Sequence, residues 1–341
     1  MRSNPEPKTP STTRNPTATP QPSTQRTTAS FRTLLVLLAP LAWLYGLGAA
    51  WRARSFKDRA RSLEKPVLSV GNLTFGGTGK TPFVIHACQE LARRGKTVAV
   101  LSRGYRAHGP DGNDEALVLR AHLPDVQHLQ NPDRFAAGST IQDDVDLFVL
   151  DDGFQHHPLR RDADIVLVDA TDPFGGGFCP PAGRLREPLS SLARATLVVL
   201  TRADQVERDS LGDTMRVVRT RTTAPVVTGV FRPECAEALT DRDVLVACAI
   251  GNPRAFHLTV EALGGRIRDR RVFRDHHAYA ARDVEELVAP GLPVVVTEKD
   301  AVKLEPLWPA AGPPLIVVKI EFEATDGADH LSALFDQLAA R

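Results

Sequence analysis

"LSVGNLTFGGTGKTPFVIHA", Leu68 to Ala87, decides how the rest of the chain is read. It opens as an apolar strand, turns through Gly76, Gly77 and Gly79, and closes on a run with helical spacing. A phosphate loop has Gly, four residues, then Gly-Lys-Ser/Thr between a strand and a helix. Here Gly79-Lys80-Thr81 is intact, while the opening position holds Thr74. Such a turn aims several backbone N–H groups at one point, at the positive end of a helix dipole. Thr74, Phe75, Gly76, Gly77, Thr78, Gly79, Lys80 and Thr81 are therefore expected to cradle a nucleotide's phosphates. Lys80 would reach the β- and γ-phosphates, and Thr81 would set its hydroxyl on Mg²⁺. Pro82 suits a first helical turn, where a missing N–H costs little. Gly71 and the Gly76-Gly77 pair would supply the freedom that Thr74 withholds. The bland alternative is a glycine-rich turn that only joins strand to helix.

Working outward, a phosphate loop needs a metal-positioning carboxylate at the end of a neighbouring strand. "LFVLDDGFQHH" offers Asp151 and Asp152 after an apolar run. Adjacent residues of a strand point to opposite faces, so both reach one metal only if the strand has ended, as Gly153 suggests. His156 and His157 read as turn residues, as support for a metal ligand, or as substrate contacts. Further apolar β-branched runs lie at 67–70, 97–102, 145–151, 163–169 and 195–201. Runs this apolar indicate strands buried on both faces. After Phe231, candidate strands follow at 244–251, 293–302 and 314–320, and Leu331, Leu334, Phe335 and Leu338 mark a final helix. The expected fold is α/β: a P-loop NTPase-like, mostly parallel sheet with helices on both faces over 61–230. A smaller α/β lobe would occupy 231–341, with a ligand cleft between the lobes.

The 341 residues are long enough for two domains, and a formal net charge of +1 gives no overall pull toward nucleic acid. The scattered Cys88, Cys179, Cys235 and Cys248 have no zinc spacing, which fits a reducing cytosol. Residues 1–30 are crowded with Pro, Ser and Thr and read as a disordered tail. Leu34 to Ala50 then carries no charge, but falls just short of the roughly 20 residues a spanning helix needs. Pro40, Gly46 and Gly48 weaken it as a helix. Arg32 precedes it, Arg52, Arg54, Lys57, Arg59 and Arg61 follow it, and Trp43, Tyr45 and Trp51 suit a lipid–water interface. Basic flanks on both sides favour a helix over 31–60 that dips into one leaflet over one that crosses it. A cleaved signal peptide or an ordinary core helix is the alternative.

Nine segments, in order, resemble the tetraacyldisaccharide 4′-kinase family of lipid A biosynthesis: "SVGNLTFGGTGKTP", "LSRGYR", "NDEA", "LDDGFQH", "RDADIVLVD", "PAGRLREPLSSLARA", "AIGNP", "FRDHHAY" and "TEKDAVKL". The resemblance implies transfer of the ATP γ-phosphate to the 4′-hydroxyl of tetraacyldisaccharide 1-phosphate, forming lipid IVA. It also implies Mg²⁺ and work at the cytoplasmic face of the bacterial inner membrane. By the resemblance, Lys80 and Thr81 are the loop's Lys and Thr, and Asp151 and Asp152 serve Mg²⁺ and phosphate transfer. Asp114 and His276 form a carboxylate–histidine pair that activates the acceptor hydroxyl. An active-site arginine is either Arg184 or Arg186. His276 would cross the cleft from the second lobe, so lobe closure would gate turnover. Asn113 stands where the family has Gly, and His277 competes with His276.

Other features stay open. The basic run Arg266, Arg268, Arg270, Arg271 and Arg274 is most simply a solvated face, or else holds the substrate's 1-phosphate or anionic headgroups. In "TEKDAVKL", Lys299 or Lys303 would pair with a carboxylate. "TRAD" (201–204) faintly suggests a guanine-reading motif, against which Arg202 counts, and a partition-type ATPase would also use a GG-x-GKT loop.

Overall fold

Strand β1 (Val67–Asn72) is buried along its whole length. In it Leu68 and Val70 join one apolar cluster, while Val67 joins another on the opposite face. The same split recurs in β5 (Ala163–Asp169), where Ile165 and Leu167 face one way and Val166 and Val168 the other. Alternation between two buried faces makes an apolar sequence a central strand covered by helices on both sides. The computed structural model describes residues 29–104, 114–234, 239–275 and 277–341, with side chains from residue 38 onward. Contacts divide the chain at Leu37, and Leu38–Arg341 is one unit. The tail at 1–28, Asn113, Cys235 and His276 lie outside the described residues.

The large sheet has eight strands in the order β12-β7-β6-β5-β1-β4-β2-β3. Besides β1 and β5 these are β2 (Val98–Ser102), β3 (Gln127–Gln130), β4 (Leu147–Asp151), β6 (Leu197–Thr201), β7 (Val226–Pro233) and β12 (Ile320–Asp326). All pair in parallel except β12, which runs antiparallel to β7. Between β1 and β2 runs α2 (Lys80–Arg93), whose Phe83, Val84, Ala87, Cys88 and Leu91 are buried. Further on are α3 (Asp114–His122), α4 (Arg134–Ser139) and α5 (Arg208–Arg219). The smaller sheet, order β11-β10-β8-β9, is all parallel: β8 (Asp243–Cys248), β9 (Arg266–Val272), β10 (Val294–Thr297) and β11 (Leu315–Val318). Its helices are α6 (Pro253–Ala262), α7 (Ala281–Val288) and α8 (Glu298–Leu304).

Two expectations change. The smaller lobe does not keep the chain to residue 341: β12 returns to the large sheet. The closing helix α9 (Ala328–Ala339) packs Leu331, Leu334 and Phe335 into the cluster beneath α2. The strand expected over 293–302 stops at Thr297, whose hydroxyl caps α8 by accepting from the Asp300 N–H. A Thr followed by acidic residues is a helix start, and that signal outweighs the preceding apolar run. The basic run is edge strand β9, alternately exposed and half-buried. Arg266 and Arg268 pair with Asp243, Arg270 with Glu261, and Arg271 with Asp269.

Helix α1 (Ala29–Ser55) runs through Pro40 rather than breaking there. Gly46 packs so closely that an added Cβ would lie 3.1 Å from Pro188 and 3.6 Å from Cys179, and Ala42 is buried. Small residues thus seat one edge of the helix, and that packing outweighs their low propensity. The remaining face exposes Leu41, Trp43, Leu44, Leu47 and Trp51. Among the described residues no helix is long and apolar enough to cross a membrane.

Partial burial makes His128 less basic than a free histidine. His128 on β3 holds Nε2 2.8 Å from Ser102 Oγ. Burial first, then Arg120, pushes its pKa down to about 4, against a smaller upward pull from Glu115. Below the ordinary value near 6.5 the unfolded chain takes a proton that the folded His128 refuses, so stability falls until about pH 4. Urea midpoints measured from pH 7 to pH 4 are expected to drop less for His128→Gln than for the parent chain.

Candidate active site

The turn after β1 is shaped by side chains that the sheet supplies. Gly79 caps α2 in a left-handed conformation with φ 83°, and an added Cβ would strike the Phe231 ring at 2.1 Å. Gly76 also has positive φ, 129°. Asn72 at the end of β1 donates from Nδ2 to the Thr74 carbonyl at 2.8 Å and accepts from Lys80 Nζ at 3.3 Å. Thr201, ending β6, donates to the Thr78 carbonyl at 3.1 Å. On the outer side Phe75 N–H donates to the Arg184 carbonyl at 2.8 Å. Thr74 is buried and bridges to Leu185, so its position is extended backbone that needs no glycine. Gly71 supplies no turn freedom, contrary to expectation. It lies inside β1, where a Cβ would meet Phe154 at 2.6 Å.

Beside the loop, β4 ends at Asp151, and Asp152 turns into the left-handed region with φ 53°. That reversal lets two adjacent carboxylates serve one site, which a continuing strand forbids. Asp151 is buried, and burial, then Glu115 and Asp152, push its pKa up to about 7. Burial would raise Asp152 as well, but Lys80, Arg186 and Arg134 together hold it below the usual carboxylate range. Lys80 Nζ stands 3.6 Å from Asp152, and Arg186 grips both its oxygens at 2.7 and 2.8 Å. The Arg186 guanidinium also lies over the Phe75 ring of the loop, 5.2 Å from its centroid. Its buried Nε has no hydrogen-bond partner among the described residues. Arg184 pairs with Asp172 beside the loop, its Nη1 3.7 Å from where a Cβ on Gly76 would lie, and its side chain is half exposed.

The histidines after Asp152 separate. His156 faces Arg134 at 3.1 Å, and burial, then Arg134 and Arg161, push its pKa down to about 3. His157 lies 3.1 Å from Glu187, which Arg194 also holds at 2.7 Å. Among the described residues no three His, Cys, Asp or Glu side chains form a metal cage. Mg²⁺ needs no such cage, because it keeps waters and takes one or two carboxylates plus phosphate oxygens. Asp151, Asp152 and the buried Thr81 hydroxyl fit that role, and a cation there would relieve the repulsion that lifts Asp151.

The smaller lobe closes the site. Gly251 sits so near the loop that a Cβ would lie 2.5 Å from Gly77 N and 3.0 Å from Gly76 Cα. Helix α8 meets α3 through two ion pairs, Lys303 with Asp114 at 3.3 Å and Lys299 with Glu115, and through a hydrogen bond between Glu298 and His122 at 2.7 Å. Asp114 begins α3, where its carboxylate also accepts from the Glu115 N–H. Arg274 and Asp275 line the cavity, whereas His277 stacks on Phe273 and bonds Asp283 at 2.8 Å. The cavity, about 1170 Å³, runs from Tyr45 and Arg52 on α1, past the loop and the acidic pair, to Phe231 and Gln205.

The family model described as tetraacyldisaccharide-1-P 4′-kinase matches residues 34–339. The chain belongs to the tetraacyldisaccharide 4′-kinase family. A relative named tetraacyldisaccharide 4′-kinase from Anaeromyxobacter sp. (strain Fw109-5) is 39% identical over 90% of this chain and 93% of its own. Another of the same name from Pelobacter propionicus is 35% identical over 89% and 92%. The crystal structure of LpxK from Aquifex aeolicus in complex with ATP superposes with a TM-score of 0.70 at 26% identity. It covers 89% of this chain and 99% of that one.

For several residues of this kinase's site the sequence does not name the partner, Lys299 being expected only to meet some carboxylate. Asn72 and Thr201 look like ordinary strand ends, and only the sheet order brings them to the loop. Glu115 and Lys299 are 184 positions apart and meet only across the lobes. Arg202, in the "TRAD" stretch, is buried against Asp169 at 2.6 Å, and Asn252 donates to the same carboxylate at 2.9 Å. The close Gly77–Gly251 approach gives a direct test. Gly251→Ala is expected to weaken ATP binding by about tenfold or more, since the new methyl must displace backbone. Calorimetry of ATP binding, with the thermal midpoint as a folding control, measures it.

Proposed function

We propose that this chain transfers the γ-phosphate of ATP to the 4′-hydroxyl of tetraacyldisaccharide 1-phosphate, yielding lipid IVA. One observation carries this beyond nucleotide binding. A single cavity joins the phosphate loop to the inner side of α1, the helix whose outer face is exposed and apolar. An acylated sugar held at α1 would present its headgroup to the acidic pair and the loop. The same surface would rest on the cytoplasmic leaflet, with Arg52 near the headgroups.

Within that site, Lys80 and Arg186 neutralise charge on the phosphoryl group as it transfers. Bound Mg²⁺, held by Thr81, Asp151 and Asp152, would supply further neutralisation across the phosphates. Arg186 Nε offers a donor already desolvated, while Nη1 alone holds both Asp152 oxygens. Asp114 and His276, by family resemblance, take the proton of the acceptor hydroxyl as it attacks. Arg184, paired with Asp172, is a loop-side support rather than a phosphate ligand.

The test is transfer of label from γ-labelled ATP to tetraacyldisaccharide 1-phosphate in detergent micelles. Asp152→Ala, Arg186→Ala and His276→Ala are each expected to lose about a hundredfold or more. Arg184→Ala is expected to stay within about twofold, as an exposed side chain should. Label appearing only as free phosphate, with the lipid present, refutes the lipid-kinase reading. For the membrane face, Leu41, Leu44 and Leu47 replaced together by Ser should abolish co-sedimentation with anionic vesicles. Nucleotide binding should survive in that variant, and vesicle binding that persists refutes the role of α1.

A further inference from the structure

The loop divides the cavity into two ends. The acidic pair lies on the β4 side of β1, and the other end lies beyond β5, at the C-terminal end of β6. The Thr201–Thr78 bond fixes that strand end against the loop. This second end is lined by Phe231, Ala255, Phe256, Val318 and Ile320, an apolar slot of the kind a flat base fills. A triphosphate seated on the loop with its γ-phosphate toward Asp152 therefore directs its base here.

Arg202 and Gln205, from the turn after β6, line this end of the cavity. Arg202 is already committed: it pairs with Asp169 and lies over the Phe231 ring, 5.2 Å from its centroid. Asp204, at the position a guanine-reading carboxylate would take, is exposed and lines an adjoining hollow instead of this cavity. Gln205 lines the cavity, and its Oε1 is buried with no hydrogen-bond partner among the described residues. An unmet buried acceptor costs free energy that a ligand donor would recover.

The direction of the Gln205 amide is set by its neighbour. Thr259 spends its hydroxyl hydrogen on the Ala255 carbonyl, at 3.0 Å, so its oxygen can only accept. Gln205 Nε2 donates to that oxygen at 3.4 Å, which leaves Oε1 as the free group. A reversed amide would oblige Thr259 to give up its bond to Ala255. The amide thus leaves its acceptor, rather than its donor, unpaired at the border of this cavity. Adenine offers a matching donor in its 6-amino group, whereas hypoxanthine and guanine carry an acceptor oxygen there.

We propose that Gln205, oriented by Thr259, reads the 6-amino group of adenine and sets the preference for ATP over 6-oxopurine triphosphates. This rests on the cavity being the nucleotide site.

The experiment measures calorimetric affinities of ATP and inosine triphosphate without lipid, together with KM and kcat in the transfer assay. The parent chain is expected to favour ATP by about tenfold, the worth of one hydrogen bond. Gln205→Leu should lose that preference through ATP affinity and KM, with kcat at saturation within about twofold. Gln205→Glu keeps an acceptor and should retain the preference, and Thr259→Val, which frees the amide to turn, should narrow it. Equal affinities in the parent chain, or an undiminished preference in Gln205→Leu, overturns the proposal. Failure of the lipid-kinase reading would show separately, as discrimination in calorimetry with no labelled lipid.

Discussion

Two neighbouring carboxylates at the end of β4 impose the constraint that the rest of the site answers. Burying adjacent negative charges is costly unless cations and donors meet them. Asp151 responds by holding its proton more tightly, up to about 7. Asp152 responds by collecting Lys80 and Arg186, with Arg134 behind them. The loop lysine, the "GRLREP" arginine and the strand end are thereby bound into one electrostatic unit. The same unit is complementary to a phosphoryl group and a divalent cation, because both replace what the carboxylates lack.

The two sheets act on this unit together. Gly251 in the smaller lobe touches the loop backbone, while α8 meets α3 through two ion pairs and a hydrogen bond. Burial alone would lower the Lys299 pKa, but Glu115 outweighs it and lifts Lys299 to about 12. Partly buried pairs of this kind contribute more to register than to net stability. The return of β12 and α9 to the large sheet makes the smaller lobe an insertion anchored at both ends.

Helix α1 adds the third constraint. Its small residues seat it against the loop before Pro188, leaving its large apolar side chains outward. An outward face of Leu and Trp is unfavourable in water and favourable at a lipid surface. One helix thus borders both the exposed apolar face and the cavity that leads to the loop.

Local chemistry made much of this legible in the sequence. The phosphate loop, the double-sided apolar strands and the paired aspartates announce themselves because each depends on residues within a few positions. Family resemblance singled out Asp114 and His276, whose separation in the chain hides any direct link. Tertiary structure decided what depends on residues far apart. It turned Arg186 to Asp152 and Arg184 to Asp172, a choice that two arginines two positions apart cannot reveal. It also brought Asn72, Thr201 and Gly251 to the loop and carried the chain's last strand back to the large sheet. The reason is physical: hydrogen-bonding and turn preferences act over short spans, whereas strand order and lobe packing are set by which apolar faces are buried together.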